Sequence, residues 1–398
     1  MLVLEAKLYG KTEQFKIIDE MIRTAQFIRN RCIRHWMDNK GVGQYDLSAL
    51  TKDLAKEFSW CAKLNSSARQ ASAERAWASI KRFYDNCRKK VPGKKGLPRF
   101  KKNVRSVEFK VSGWKLSDDR KQITFTDKFK AGTFKFRGGY DLQFYSIDKI
   151  KRVRIVKRAD GYYVQMCVDV ERNVEHKFTG KVTGIDLELE SFYTDSDGKH
   201  IENPRLLRKS EKRLKRLQKR VSRRQKGGRN RSDARQKLAR QHLRVSRQRK
   251  DWLVKLASAL VASSDLIAYE DLQVKNLVKN HHLAKSISDA SWSIFTNWVD
   301  YYCKVHGIVC VAVPPQYTSQ DCSGCGEKVK KSLSTITHKC KCGTELHRDH
   351  NAAINILAKA LKILGKELPS TAGRTETNAW GENALYLDLE TVLGKVTR

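Results

Sequence analysis

Residues 318–357, TSQDCSGCGEKVKKSLSTITHKCKCGTELHRDHNAAINIL, hold four cysteines in two close pairs, Cys322/Cys325 and Cys340/Cys342. The pairs spell C-x2-C and C-x-C across a fourteen-residue gap, with Gly324, Gly326 and Gly343 beside them. Close thiolate pairs flanked by glycine suit one tetrahedral, structural Zn2+. His338 and His347 lie near enough to act as substitute ligands, but four cysteines already fill such a site. Seven residues beyond Cys342 stands Asp349, and behind it Ala352, Ala353, Ile356, Leu357, Ala360, Leu361 and Leu364 repeat at helical spacing. The stretch therefore predicts a metal knot delivered onto a carboxylate at a helix start. The other six cysteines (Cys32, Cys61, Cys87, Cys167, Cys303, Cys310) are scattered singly, which fits a reducing, intracellular setting better than a disulfide framework.

Charge narrows the partner. The 398-residue chain carries 80 Lys and Arg against 43 Asp and Glu, a formal net charge of +37. That much self-repulsion points to a polyanion, and nucleic acid is the obvious one. No apolar run approaches the ~18 residues of a membrane span, and the first fifteen residues lack the apolar core of a secretory signal. The charge is also concentrated. Residues 205–250 hold 21 Lys and Arg against two acids, Glu211 and Asp233. Their apolar positions (Leu206, Leu214, Leu217, Val221, then Leu238 and Val245) predict a helical hairpin broken at Gly227-Gly228. A merely solvated helix would mix acids among its bases to form i,i+4 pairs. Lys215, Arg216, Lys219, Arg220, Arg223 and Arg224 are therefore read as nucleic-acid contacts.

Upstream, Leu2–Leu8 predicts a strand, followed by helices with Phe15–Ile28 on one face, near 47–58, and over 65–88. Arg69 and Gln70 of the third helix point outward in this reading. They are candidate base readers, a solvated basic face being the alternative. A basic connector, KKVPGKKGLPRFKKN (89–103), leads into alternating strands VEFKV, QITFTD, GTFKFRG, IKRVRIVKR and GYYVQMCVDV, with Ala-Asp-Gly (159–161) as a hairpin turn. This is a β-barrel or small sheet carrying a helical insertion after its first strand. From Lys181 a single strand is expected through Thr194, with Asp186 turned opposite Ile185 and Leu187. A buried strand ends in Glu270, one amphipathic helix covers 286–306, and a fully apolar strand covers 308–313.

Asp186, Glu270 and Asp349 thus fall at three comparable places. Each alone has a plainer reading: a salt-bridged strand aspartate, a strand-end acid, a helix N-cap. Together, on a basic chain, they match two-metal phosphodiester hydrolysis, in which two Mg2+ ions need carboxylate oxygens.

GID (184–186), YEDL (269–272), CSGCG, CKCG and RDHNAAINI (348–356), with LPRFK (97–101) and KSISDASW (285–292), resemble TnpB, the transposon-encoded RNA-guided nucleases related to type V CRISPR effectors. The last residues, from Thr371, resemble tails of one branch of that family. The resemblance implies an α/β multidomain protein. A wedge β-barrel (1–15, 89–180) would carry a helical recognition insertion (16–88). An RNase H-like RuvC domain (181–315, 348–368) would include the 205–250 hairpin and be interrupted by a zinc-ribbon target-nucleic-acid-binding module (316–347). A loosely ordered tail (369–398) would follow. It implies a guide (omega) RNA, a double-stranded DNA target beside a short adjacent motif, and Asp186, Glu270 and Asp349 as catalytic magnesium ligands. It also implies a monomer or weak dimer with RNA in a prokaryotic cytoplasm, associated with the nucleoid. Two residues depart from the family pattern. Glu188 stands where Gly is common, and His347 where an Asp is common. Rival uses of the same architecture are RNA-guided repression without cutting, and DNA joining by a transposase or resolvase.

Overall fold

Residues 1–332 and 335–367 are described in the structure, a computed structural model; the tail expected from residue 369 lies outside them. The chain divides into two compact units, Met1–Glu171 and a second from Arg172 onward.

The first unit runs β1 (Leu2–Tyr9), α1 (Thr12–Asp38), α2 (Gln44–Glu57), α3 (Ser59–Ala62), α4 (Ser66–Arg88), β2 (Ser106–Lys110), β3 (Trp114–Leu116), β4 (Gln122–Phe125), β5 (Thr133–Arg137), β6 (Ile150–Arg158) and β7 (Gly161–Val168). The strands form one antiparallel sheet in the order β2-β6-β7-β1-β5-β4-β3. Its edge strands are consecutive in the chain, joined only by the 3-10 turn Val111–Gly113. Laid flat, seven strands would hold their edges about 29 Å apart, whereas that link spans at most about 14 Å. The sheet must therefore roll up, and the chain itself turns the corner. Gly113 permits the corner, since a Cβ there would lie 2.7 Å from Phe109 Cβ. No hydrogen-bonded ladder joins β2 to β3 among the described residues, so the expected β-barrel or small sheet is a rolled sheet whose two edges are linked by chain and not by pairing. Ile18, Met21, Ile22 and Ile28 of α1 and Ala73, Ala76 and Ile80 of α4 pack with Val107, Phe109 and Phe134 in one core. Strand β3 escaped the sequence reading because three residues are too few to show alternation.

The second unit runs β8 (Val182–Leu187), β9 (Ser191–Asp195), β10 (His200–Glu202), α5 (Leu206–Ser222), α6 (Arg229–Ala262), β11 (Leu266–Glu270), α7 (Val274–Leu277), α8 (Ala284–Ala290), α9 (Trp292–His306), β12 (Val309–Val313), β13 (Thr337–Lys339), β14 (Glu345–His347) and α10 (Arg348–Glu367). Its main sheet has the order β10-β9-β8-β11-β12, antiparallel across β10-β9-β8 and parallel across β8-β11-β12. Strand alternation sorts its faces. Ile185, Leu187, Ile267 and Tyr269 pack against α6 and α9 through Leu253, Ala257, Phe295 and Val299. Leu266, Ala268 and Val309 pack against Ile356 and Ala360 of α10 on the other face.

Two expected elements are divided. The strand read through Thr194 breaks at residues 188–190, and its two halves pair as a hairpin, Leu187 opposite Tyr193. The helix read over 286–306 breaks at Ser291, whose φ of 58° is left-handed. Both halves keep apolar residues facing the same core, so hydrophobic periodicity runs through the break and hides it.

Candidate functional site

Asp186 and Glu270 reach one another through register. In the parallel ladder Tyr269 stands beside Ile185, so the next residues, Glu270 and Asp186, follow side by side at the C-terminal ends of β11 and β8. Alternation turns both toward the α10 face, away from Ile185 and Tyr269. Helix α10 crosses that face closely because of Gly184, where a Cβ would lie 2.3 Å from the Ala353 carbonyl oxygen and 2.8 Å from Leu357 Cβ. Asp349, in the first turn of α10, is thereby brought over the strand ends. Asp349 is buried, and it accepts from Arg348 Nε at 2.9 Å.

The electrostatics show crowded acids. Loss of water around Asp186, then the charges of Glu270, Asp349 and Glu188, hold its carboxyl well above the usual range. Burial raises Glu270, against the Thr318 hydroxyl that donates to its Oε1 and the charge of Lys359. Burial and a shared hydrogen bond with Asp349 raise Glu188, against donation from Ser191 and, at 2.6 Å, from Thr194 Oγ1. The hard oxygens of such a set suit Mg2+ rather than a thiophilic ion. No three of these carboxylates bring oxygens within 4.8 Å of one another. Among the described residues the cysteines are the one group of three or more metal-binding side chains with ligand atoms within 4.8 Å of one another.

Those thiols form the second centre. Cys322 Sγ lies 3.6 Å from Cys342 Sγ, and Cys325 Sγ lies 3.6 Å from Cys340 Sγ. Four sulfurs around one zinc at Zn–S of about 2.3 Å would stand ~3.8 Å apart, so the cluster fits that ion. Burial works against the Cys322 thiolate. The backbone N–H groups of Cys325 and Gly324, the Thr344 hydroxyl and the His338 ring outweigh it and bring the thiol to about 5. His347 stays outside the cluster; its Nδ1 lies 3.6 Å from Asp349 Oδ2 and its ring meets that of His200 edge-on at 5.1 Å.

The two centres are tied by residues that the sequence reading did not single out. Asn351 Nδ2 donates to the Asp321 carbonyl at 2.8 Å, and its Oδ1 accepts from Ser323 N at 3.0 Å. Asn355, one turn on, donates to the carbonyls of Thr318 at 2.8 Å and Asp321 at 2.7 Å. Thr318 in turn holds Glu270. The signal was available: Asn351 and Asn355 are polar residues at i,i+4 on the buried face of an amphipathic helix, and buried amides need partners.

The basic hairpin is present as α5 and α6, and Lys215, Arg216, Lys219, Arg220, Arg223 and Arg224 line one open groove along α5 with Lys212. Asp289, within the KSISDASW run, caps this helix from outside. It accepts from Leu207 N at 2.9 Å and Arg208 N at 3.2 Å, while Lys285 of the same run pairs with Glu211. In the first unit Arg69 points inward instead of outward. Its Nη1 donates to the Leu64 carbonyl at 2.6 Å, because the α3–α4 junction leaves carbonyls to satisfy. Gln70 is partly covered and accepts from Lys110 Nζ at 3.4 Å.

Residues 165–281 match a family profile described as a probable transposase, OrfB of IS605, and residues 292–356 match the Cas12f1-like TNB domain. A relative from Streptomyces pristinaespiralis, described as a candidate RNA-guided DNA endonuclease, is 40% identical over 185 residues, covering 46% of this chain and 46% of that one. The chain thus spans about half the length of this relative. A candidate RNA-guided DNA endonuclease of Escherichia coli (strain K12), InsQ, is 28% identical over 78% of each chain. Among solved structures, Cas12f1 in its complex with guide RNA and target DNA aligns over 87% of this chain and 83% of its own, at a TM-score of 0.56 and 14% identity. The mini RNA-guided endonuclease Cas-phi3 aligns over 90% and 92%, at 0.55 and 11%. At these identities the likeness is one of fold.

Proposed function

We propose that this chain is an RNA-guided endonuclease of the TnpB kind that hydrolyses double-stranded DNA at the Asp186–Glu270–Asp349 centre. The observation that carries the reading is the convergence of these acids by register and by the close crossing at Gly184. In the proposal Asp186, Glu270 and Asp349 hold two Mg2+ ions, which when bound would supply an activated water and neutralise the leaving oxygen. The chain's own part is positioning. Thr318 fixes one oxygen of Glu270, Arg348 fixes one of Asp349, and the hydroxyls of Ser191 and Thr194 fix Glu188 beside them. Cys322, Cys325, Cys340 and Cys342 would hold one structural Zn2+.

A guide RNA would read sequence by base pairing while the protein grips backbone and a short adjacent motif. The α5 groove would supply phosphate contacts, and the rolled sheet with its helices in the first unit would serve as wedge and recognition domains. The working place would be the cytoplasm, on nucleoid DNA; no described helix is long and apolar enough to cross a membrane.

The test is to purify the protein with its co-expressed RNA and assay guide-matched duplex DNA with Mg2+. Asp186→Ala, Glu270→Ala and Asp349→Ala should each lower cutting by at least about 100-fold while RNA still co-purifies. Undiminished cutting by Asp349→Ala would remove it from the centre, and cutting in EDTA would remove the metal.

A further inference from the structure

Strand β12 ends level with the acids, Val313 standing beside Glu270 in the parallel ladder. Four residues on, Tyr317 has a φ of 65°, in the left-handed region. Glycine takes that conformation freely, whereas a bulky side chain takes it only under strain. The backbone on both sides is clamped. Lys359 Nζ donates to the Gln316 carbonyl, the Thr318 hydroxyl donates to Glu270, and Asn355 Nδ2 donates to the Thr318 carbonyl at 2.8 Å. The Tyr317 carbonyl accepts from Gln320 N at 3.0 Å and from Asp321 N at 2.9 Å. This strain does not serve the core. Thr318 is buried, but Tyr317 is 54% exposed. Lys328, which pairs with Asp321 across a short bridge, lays its ammonium over the ring, with Nζ 3.2 Å from the centroid. An exposed aromatic ring, held out beside an acid by strained backbone, asks for a reason other than packing.

We propose that Tyr317 is a stacking platform for an unpaired nucleobase of the DNA strand being cut. The inference rests on the reading of the acids as a DNA-cutting centre. Carboxylates can place a phosphate, but they leave the nucleoside beside it free to turn. Where a guide opens the duplex, the freed bases lose their stacked neighbours, and an aromatic face replaces those neighbours for any base. Tyr317 stands where such a base would lie. Its neighbour Thr318 holds Glu270, and the two Cα atoms are about 3.8 Å apart. Consecutive residues thus orient the acid and the base. Lys328 steadies the ring from one face by cation–π attraction, and the base takes the other. Because every base has a π-face, the platform is tolerant of sequence. That suits an enzyme whose sequence reading is left to RNA.

The experiment uses the RNA-loaded full chain and guide-matched DNA, below saturation, in which each nucleotide around the mapped cut is made abasic in turn. For the wild type, loss of one base beside the cut should slow cutting about tenfold. Tyr317→Gly removes the ring and suits the left-handed backbone. It should melt no lower than the wild type, yet cut intact DNA about tenfold more slowly. On the DNA that lacks this base it should lose little more, because ring and base form one contact. Tyr317→Phe keeps the face and should cut like the wild type. Lys328→Met should cost less than about threefold. Undiminished cutting by Tyr317→Gly would overturn the proposal, and so would ring and base losses that multiply at every position. Equal losses in Tyr317→Gly and Lys328→Met, with lower melting in both, would assign the pair to holding the ribbon and overturn it too. Coupling to abasic sites in the guide RNA alone would overturn the choice of DNA. If Tyr317→Gly does not fold, Tyr317→Leu carries the same comparison. Wild-type protein that cuts no matched DNA would sink the nuclease reading, and the platform with it.

Discussion

Asp186 makes the cost of the site concrete. Its carboxyl is held well above the ordinary range by lost water and three neighbouring acids. For an acid with a raised folded-state pKa, the folded state is disfavoured once the group ionises, so stability is lost as pH rises from the model-peptide value through the folded value. At neutral pH without metal, Asp186→Asn should therefore raise the melting temperature of the second unit. Each kcal/mol relieved should appear as roughly 2–4 °C for a unit of this size. Mg2+ should stabilise the wild type and do little for the variant. A lower melting temperature in Asp186→Asn would show that the acid is structural. Asp186 was legible from the sequence because a strand aspartate between Ile185 and Leu187 needs a reason. Thr318 and Thr194 were not, since a threonine's hydroxyl matters only once folding places a carboxylate in front of it. Arg69 defeats the sequence reading for a related cause. Helical spacing turns it outward, yet the junction before it offers carbonyls that claim its guanidinium.

At the scale of elements, α5 is a helix that its own sequence barely begins. Arg205 at its N-cap is left-handed and offers no side-chain cap, and Asp289 supplies one from α8. Its bases line a groove, and Glu211, the one acid of α5, is committed to Lys215 and Lys285, which hold its carboxyl down at about 2. Replacing Lys215, Arg216, Lys219 and Arg220 by Gln should weaken nucleic-acid binding and flatten log affinity against log salt, by up to ~0.9 for each phosphate no longer neutralised on B-form duplex. The preferred adjacent motif should not change, because phosphates carry no base identity. Unaltered affinity and slope would leave α5 as a solvated helix. A second element-scale outcome concerns β2 and β6. Buried Glu108 is held by Arg152 at 2.8 Å and by Arg154, and these partners outweigh its desolvation and lower its pKa. Such a group contributes stability that is present above the model-peptide value of 4.5 and lost as pH falls through the folded value. Glu108→Gln should destabilise the first unit by about 1–3 kcal/mol at pH 7, and the gap should close as melting is measured toward pH 3. A gap that persists in acid would mean that the variant suffers from poorer packing instead. The hairpin was readable because helical periodicity and a Gly-Gly break coincide. The division at Ser291 was not, because the core it faces keeps one apolar period across both halves.

The whole molecule carries a formal charge of +37, and this should invert the effect of salt between free and loaded states. In the free protein the excess positive charge repels itself across distances that fall inside a Debye length at low ionic strength, about 30 Å at 0.01 M. Adding salt to about 0.3 M shortens that length several-fold and relieves the repulsion, so the melting temperature of RNA-free protein should rise. With guide RNA bound, the dominant electrostatic term is attraction to phosphates, which binds only the folded state and stabilises it by mass action. Salt weakens that binding through counterion release, so the melting temperature of the loaded protein should fall over the same range. The two curves should converge at high salt, where neither term survives. The measurement is a pair of thermal melts, with and without RNA, at five salt concentrations and fixed pH. The quadruple α5 variant should show a shallower fall when loaded, and also a shallower rise when free, because it removes charge from both sides of the balance. A free-protein curve that stays flat or falls over this range would mean that the charge is distributed so that it does not repel in the free chain. The basic excess would then be a solubility feature and no longer an argument for a polyanionic partner.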